Sequence, residues 1–199
     1  MPAEAPAPSI RRPRMTPERE LELLTTTIEV LREVGYDALT MDAVAARARC
    51  SKATLYRQWQ GKPRLVAAAL YATRPVDAGA IDTGTLRGDL LAFAGTLADQ
   101  AEKDTPLIAG LAHATLADPD LARALRETLI EPESEHLASF VHRAVARGEL
   151  PDRSAAVAFL PQLLFAALIT RPLFEGAYVD ADYLVGFIDS AVLPALRNS

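Results

Sequence analysis

Fourteen prolines and only ten glycines punctuate this chain of 199 residues, and their placement limits its fold more than any other feature. Five prolines crowd the first 17 positions; the others, at 63, 75, 106, 119, 132, 151, 161, 172 and 194, mostly mark off apolar segments of helical length. Proline suits the first turn of a helix and disrupts the interior of helix or strand, so this spacing marks boundaries. Clean alternation of apolar and polar residues is hard to find between them. The chain is expected to be all-α.

Composition narrows the class. Hydrophobic residues make up 50% and charged residues 24%, a globular balance, and the length supports a core without disulfide or metal staples. Cys50 is the single cysteine, so no intrachain disulfide forms, which fits a reducing, cytoplasmic setting. One cysteine and three histidines (His113, His136, His142) argue against a structural zinc site, and no metal or cofactor is expected. The opening MPAEAPAPS lacks the apolar run of a secretory signal. The longest uncharged stretch, 154–170, is interrupted by Pro161 and Gln162 and falls short of a comfortable bilayer span, so no membrane partner is expected. No G-x-S-x-G, H-E-x-x-H, Walker or dinucleotide pattern occurs, and an enzyme is not expected.

The net charge of −5 conceals an asymmetry. Residues 1–75 carry a balance of +4 and residues 76–199 a balance of −9. Positions 43–75 hold seven basic side chains and no acid. One small basic block on an acidic chain points to a local anion site rather than general affinity for polyanions. Residues 1–15, Pro-rich and carrying Arg11, Arg12 and Arg14, are expected to form a disordered basic arm that could enter a minor groove.

Capping signals then place four helices. Thr16 and Pro17 open the first, Leu21, Leu24, Ile28 and Leu31 form its apolar stripe, and Gly35 stops it. Thr40 caps a helix over 41–48, Ser51 caps one over 51–58, and Lys62-Pro63 opens one running to about 73. Further helices are expected near 84–103, 105–117, 119–130, 133–148, 152–171 and 180–196, with 119–130 and 133–148 readable as one rod bent at Pro132.

The two short helices joined by a tight turn have the dimensions of a helix-turn-helix, taken here as residues 16–62 with 63–75 as the connecting helix. Leu55 and Trp59, four apart, turn inward as core, so Lys52, Ala53, Tyr56 and Arg57 share the opposite face. Arg57 can fork onto a guanine edge, the Ala53 methyl can meet a thymine methyl, and Lys52 can reach a base or phosphate. Tyr56 offers a hydroxyl to a phosphate, and the helix starts at Thr40, Ser51 and Lys62 offer backbone N–H groups. Cys50, in the turn, is read as a small filler.

The stretch 25–70, TTTIEVLREVGYDALTMDAVAARARCSKATLYRQWQGKPRLVAAAL, strongly resembles the amino-terminal DNA-binding domain of the tetracycline-repressor (TetR) family. Gly35-Tyr36, Thr40-Met41, Val44-Ala45, Ser51-Lys52, Thr54-Leu55-Tyr56, Trp59 and Lys62 carry the likeness. The resemblance implies a helix-turn-helix head followed, over 76–199, by an effector-binding and dimerisation domain. It implies a ligand-responsive homodimeric regulator, a repressor that leaves a palindromic double-stranded DNA operator when a small apolar effector binds. It places phosphate contacts at Thr40, Tyr56 and Lys62, and groove contacts at Lys52, Ala53, Thr54 and Arg57. Arg49 and Ala53 stand where the family usually has glycine; Arg49 is then expected in a less favoured backbone region or on a phosphate.

For pairing, the helices near 152–171 and 180–196 have more apolar surface than one packed face requires. For the ligand, Phe93, His113, Phe140, Gln162 and Phe165 mix apolar walls with a few polar groups. The acidic balance of this half favours a cationic or neutral effector over an anionic one.

Overall fold

Helix α1 (Pro17–Ala38) starts at its capping signal: the Thr16 hydroxyl accepts the Arg19 amide at 3.3 Å. In this computed structural model the described residues are 15–74, 78–152 and 154–198, so the arm with Arg11, Arg12 and Arg14 lies outside them. The strand-prone threonine run stays helical because the stripe Leu24, Ile28 and Leu31 is buried, and the Thr26 and Thr27 hydroxyls donate to the Glu22 and Leu23 carbonyls, each at 2.9 Å. Gly35 does leave helical space (φ 75°, ψ 170°), but one further turn follows it to Ala38. That backbone region is essentially restricted to glycine. Gly35→Ala is therefore expected to lower stability by about 1–3 kcal/mol, read as a shifted urea midpoint at unchanged slope.

Helices α2 (Met41–Arg47), α3 (Lys52–Trp59) and α4 (Lys62–Ala72) fall within a residue of expectation, with Thr40 and Ser51 as caps. Expected helix 84–103 is two elements, α5 (Leu86–Ala98) and α6 (Ala101–Ala114), broken at Asp99-Gln100. Helix α6 also begins ahead of the expected residue 105 and carries Pro106 inside it.

Residues 119–146 form one rod. Helix α7 (Pro119–Leu125) runs through a π-helical turn at Arg126–Ile130 into α8 (Glu131–Ala146). The wider turn sits just before Pro132, which lacks an N–H and would crowd the carbonyl four residues back. The same device recurs before Pro194: α10 (Ala181–Phe187), a π turn at Ile188–Val192, then α11 (Leu193–Arg197). Between them a 3-10 turn (Ala155–Phe159) leads into α9 (Leu160–Glu175). Every regular element among the described residues is helical.

The segment Ala155–Glu175 corrects one expectation. It is 21 residues long, with a mean hydropathy of 1.6 in its most apolar window, sufficient by length and composition to cross a membrane; only 22% of that window is buried within the chain. Pro161 near its start and Pro172 near its end do not shorten it.

Two cores result. One joins α1–α4 and extends onto Leu111, Ala114, Leu121, Ala124 and Leu125 of α6 and α7. The other gathers α5, α8, α9, α10 and α11 around Phe140, which is fully buried. The packing division therefore does not follow the chain division at 75: the ends of α6 and α7 belong to the head's core.

Candidate nucleic-acid interface

Helix α3 packs through Leu55 (0% exposed) and Trp59 (7%), both in the head's core as the spacing requires. Burying that edge turns Lys52, Ala53, Tyr56 and Arg57 outward; all four are exposed, Tyr56 at 45%. Among the described residues Arg57 makes no hydrogen bond or ion pair. The Lys52 ammonium donates to Asp42 at 2.8 Å and lies 5.9 Å from the Tyr56 ring centre. Asp42 holds the Lys52 pKa above its ordinary value. Both partners are exposed, so the pair is weak and easily exchanged for a phosphate.

The turn ahead of α3 is held from outside. Arg49 adopts φ 49°, the left-handed region anticipated from the absent glycine, at a cost of about 1 kcal/mol. Arg19 of α1 donates to the Ala48 carbonyl, and the Cys50 amide returns to the Ala45 carbonyl at 2.9 Å. Burial raises the Cys50 pKa against the lowering influence of Arg19, which leaves the thiol less reactive and fits its reading as filler.

Thr40 and Ser51 cap the backbone in this structure, and Thr54 pairs with Ser51. Thr40 Oγ1 accepts the Ala43 amide at 3.1 Å and Ser51 Oγ the Thr54 amide at 3.1 Å, with Thr54 Oγ1 2.8 Å from Ser51 Oγ. Helix α4, by contrast, starts at Gly61 with no side-chain cap. Lys62 turns inward from its expected phosphate position. Its ammonium donates to the Tyr36 carbonyl at 2.9 Å and sits 4.1 Å from the Tyr36 ring centre.

Sequence reasoning missed what this lysine joins. The Tyr36 hydroxyl donates to Asp118 Oδ2 at 2.6 Å, and Asp118 Oδ1 caps α7 by accepting the Asp120 and Leu121 amides at 3.0 Å each. Burial, then the Asp118 hydrogen bond, drives the Tyr36 phenol far above its usual range, while that bond and the Leu121 amide lower Asp118. The Asp118-Pro119 pair signals a helix start in the sequence, but a partner 82 positions away leaves no local sign.

The five ligand candidates differ in burial and setting. Phe93 and Phe140 meet edge to face at 6.4 Å between ring centres. His113, Gln162 and Phe165 are exposed. Gln162 amide nitrogen reaches the Ala158 carbonyl at 3.2 Å when oriented to satisfy its bonds. Phe165 is 48% exposed, and Leu173 and Phe174, further along α9, are 81% exposed each. Among the described residues no group of three or more His, Cys, Asp or Glu gathers at metal-binding distance.

Comparison with known proteins agrees with the head and extends beyond it. Residues 23–69 match the model for bacterial regulatory proteins of the tetR family, and residues 80–191 match the tetracyclin repressor-like C-terminal domain. An uncharacterised HTH-type transcriptional regulator of Mycobacterium tuberculosis is 35% identical over 182 residues, covering 91% of this chain and 89% of that one. A DNA-binding transcriptional repressor TetR of Mycobacteroides abscessus is 35% identical over 184 residues, covering 90% of this chain and 94% of its own length. The crystal structure of a TetR family transcription regulator, SCO0332, superposes with a TM-score of 0.67 at 26% identity, covering 89% of this chain and 98% of that chain. With an outward-facing α3, a matching head and a matching body, the chain belongs to the TetR family of DNA-binding transcriptional regulators.

Proposed function

We propose that this regulator is a repressor that reads a palindromic operator as a homodimer and releases it when a small effector binds. TetR-family regulators bind DNA operators and form homodimers. The observation that carries the reading is the face of α3: Lys52, Ala53, Tyr56 and Arg57 outward, Leu55 and Trp59 buried. In that arrangement Arg57 reads a base edge, Tyr56 and Lys52 hold phosphates, and the uncapped start of α4 offers backbone N–H groups to another phosphate. Arg49, the capping residues Thr40 and Ser51, and Thr54 beside Ser51 set the pitch of α3 against the backbone. The relative from Mycobacteroides abscessus, itself named a repressor, supports the direction of control.

Pairing runs through the helices near 152–171 and 180–196. Phe159 and Phe165 of the first, Leu173 and Phe174 just beyond it on α9, and Val185 of the second are exposed apolar side chains of the kind a twofold interface covers. The same use accounts for the hydropathy of Ala155–Glu175 without a membrane. Release follows from geometry: two heads fit successive major grooves only about 34–36 Å apart. Helix α4 packs against both α1 and α7, so a shift in the body tilts it and moves that spacing.

The test is binding of Arg57→Ala to an operator selected from genomic fragments and to random DNA. The variant is expected to lose about 1–3 kcal/mol of discrimination at one base pair, with affinity for random DNA little changed. Equal losses on both DNAs would remove Arg57 from base reading.

A further inference from the structure

A groove of about 330 Å³ opens between α1 and α6, lined by Leu31, Gly35, Lys103, Leu107, Gly110 and Leu111 among others. Its volume lies at the low end of small-molecule sites, about 300–1,000 Å³. A Cβ placed on Gly35 or on Gly110 would meet no atom within 4 Å. Gly35 is required by its positive φ, but Gly110 lies inside α6, where glycine weakens a helix and no close neighbour here demands it. Gly110 lines the groove, so a bulky side chain there would occupy it.

The rim is cationic although the body is acidic. Arg32 donates to Asp104 Oδ1 at 2.6 Å and to the Lys103 carbonyl at 3.1 Å, so one rim cation is matched. Lys103 is exposed and makes no ion pair among the described residues, which leaves one positive charge over an apolar floor. We propose that this groove is a binding site for a small amphipathic anion. Its apolar body lies on Pro106 and Leu107, above the buried Leu31 and Leu111, and its single carboxylate or sulfonate meets Lys103. The net acidity of residues 76–199 predicts the opposite sign of ligand, but a bound group responds to the charges within reach, not to the total.

The groove also spans the joint. Helix α1 belongs to the reading head, α6 runs from the body into the head's core, and the Arg32–Asp104 pair ties α1 to the start of α6. An anion held at Lys103 brings its charge beside Asp104, the next residue, and repels that carboxylate, so occupancy loosens the Arg32–Asp104 tie and shifts the head. This coupling rests on the repressor reading above; the binding itself does not.

The probes are anilinonaphthalene sulfonate and its sulfonate-free parent, phenylnaphthylamine, titrated by fluorescence against the full-length protein without DNA. The sulfonate is expected to bind about tenfold more tightly than the neutral parent, and Lys103→Gln to abolish the difference. Gly110→Leu fills the groove and is expected to weaken both probes, with its thermal melt as the check on folding. Amide resonances of Gly35, Gly110 and Leu111 should move on titration of the unmodified protein. Equal affinity for the two probes, an unaltered ratio in Lys103→Gln, or resonance shifts confined to α9 would each overturn the proposal. Operator added to the probe-loaded protein should weaken sulfonate binding, by the reciprocity of linked equilibria. If the probe binds as expected but is indifferent to operator, the site stands and its coupling to DNA release is refuted. Failure of any operator to bind would refute the repressor reading instead.

Discussion

Leu55→Ala is expected to lower the stability of the reading head by about 2–5 kcal/mol, because it opens a cavity at a fully buried position where α3 docks. The measurement is a urea unfolding midpoint followed by tryptophan fluorescence, since the single tryptophan, Trp59, lies one turn further along the same helix. The head shares its core with the ends of α6 and α7, so the loss should appear in one cooperative transition. Two separated transitions would show that the head unfolds independently of the body. Operator affinity is expected to fall for specific and random DNA alike, since the helix that positions every contact is itself loosened. That pattern differs from Arg57→Ala, which leaves the scaffold intact and changes only discrimination.

Asp89→Ala should produce a loss of similar size in the body. Asp89 is fully buried and accepts three hydrogen bonds: the Thr83 amide at 2.7 Å, the Thr83 hydroxyl at 2.8 Å and Arg143 Nη2 at 2.8 Å. It pins the loop before α5 to α8. Removing one member of a buried pair costs about 3–5 kcal/mol, and the lower end applies here because Arg143 retains partial exposure. Burial raises the carboxyl pKa, but the Thr83 amide, then Arg143 and the Thr83 hydroxyl, outweigh it and hold the value below the ordinary range. A depressed folded-state pKa contributes stability above the unfolded value of about 3.9, and the contribution is lost as pH falls through the folded value. The unmodified protein should therefore lose stability on acidification below about pH 4 more steeply than Asp89→Asn, compared by thermal melts across that range. Parallel acid profiles would exclude Asp89 as a contributor.

The head was legible residue by residue. Thr16, Thr40 and Ser51 cap the helices they were expected to cap, Pro17 and Pro63 stand in first turns, and Leu55 and Trp59 face inward. Arg49 takes one of the two courses that the missing glycine leaves open, a positive φ. The body was legible only in outline. The break at Asp99-Gln100 carries no proline or glycine to announce it. Pro132 in the sequence allows either two helices or one bent rod over 119–148, and nothing local announces the π turn that absorbs it.

Caps, first-turn prolines and apolar stripes act within one or two turns of chain, so they are written in adjacent residues and survive being read without coordinates. The inward turn of Lys62, the Tyr36–Asp118 bond across 82 positions and the groove between α1 and α6 have no such local cause. They arise where helices distant in the chain meet, and the side chain that wins each contact is chosen by packing and desolvation at that meeting rather than by its neighbours in sequence.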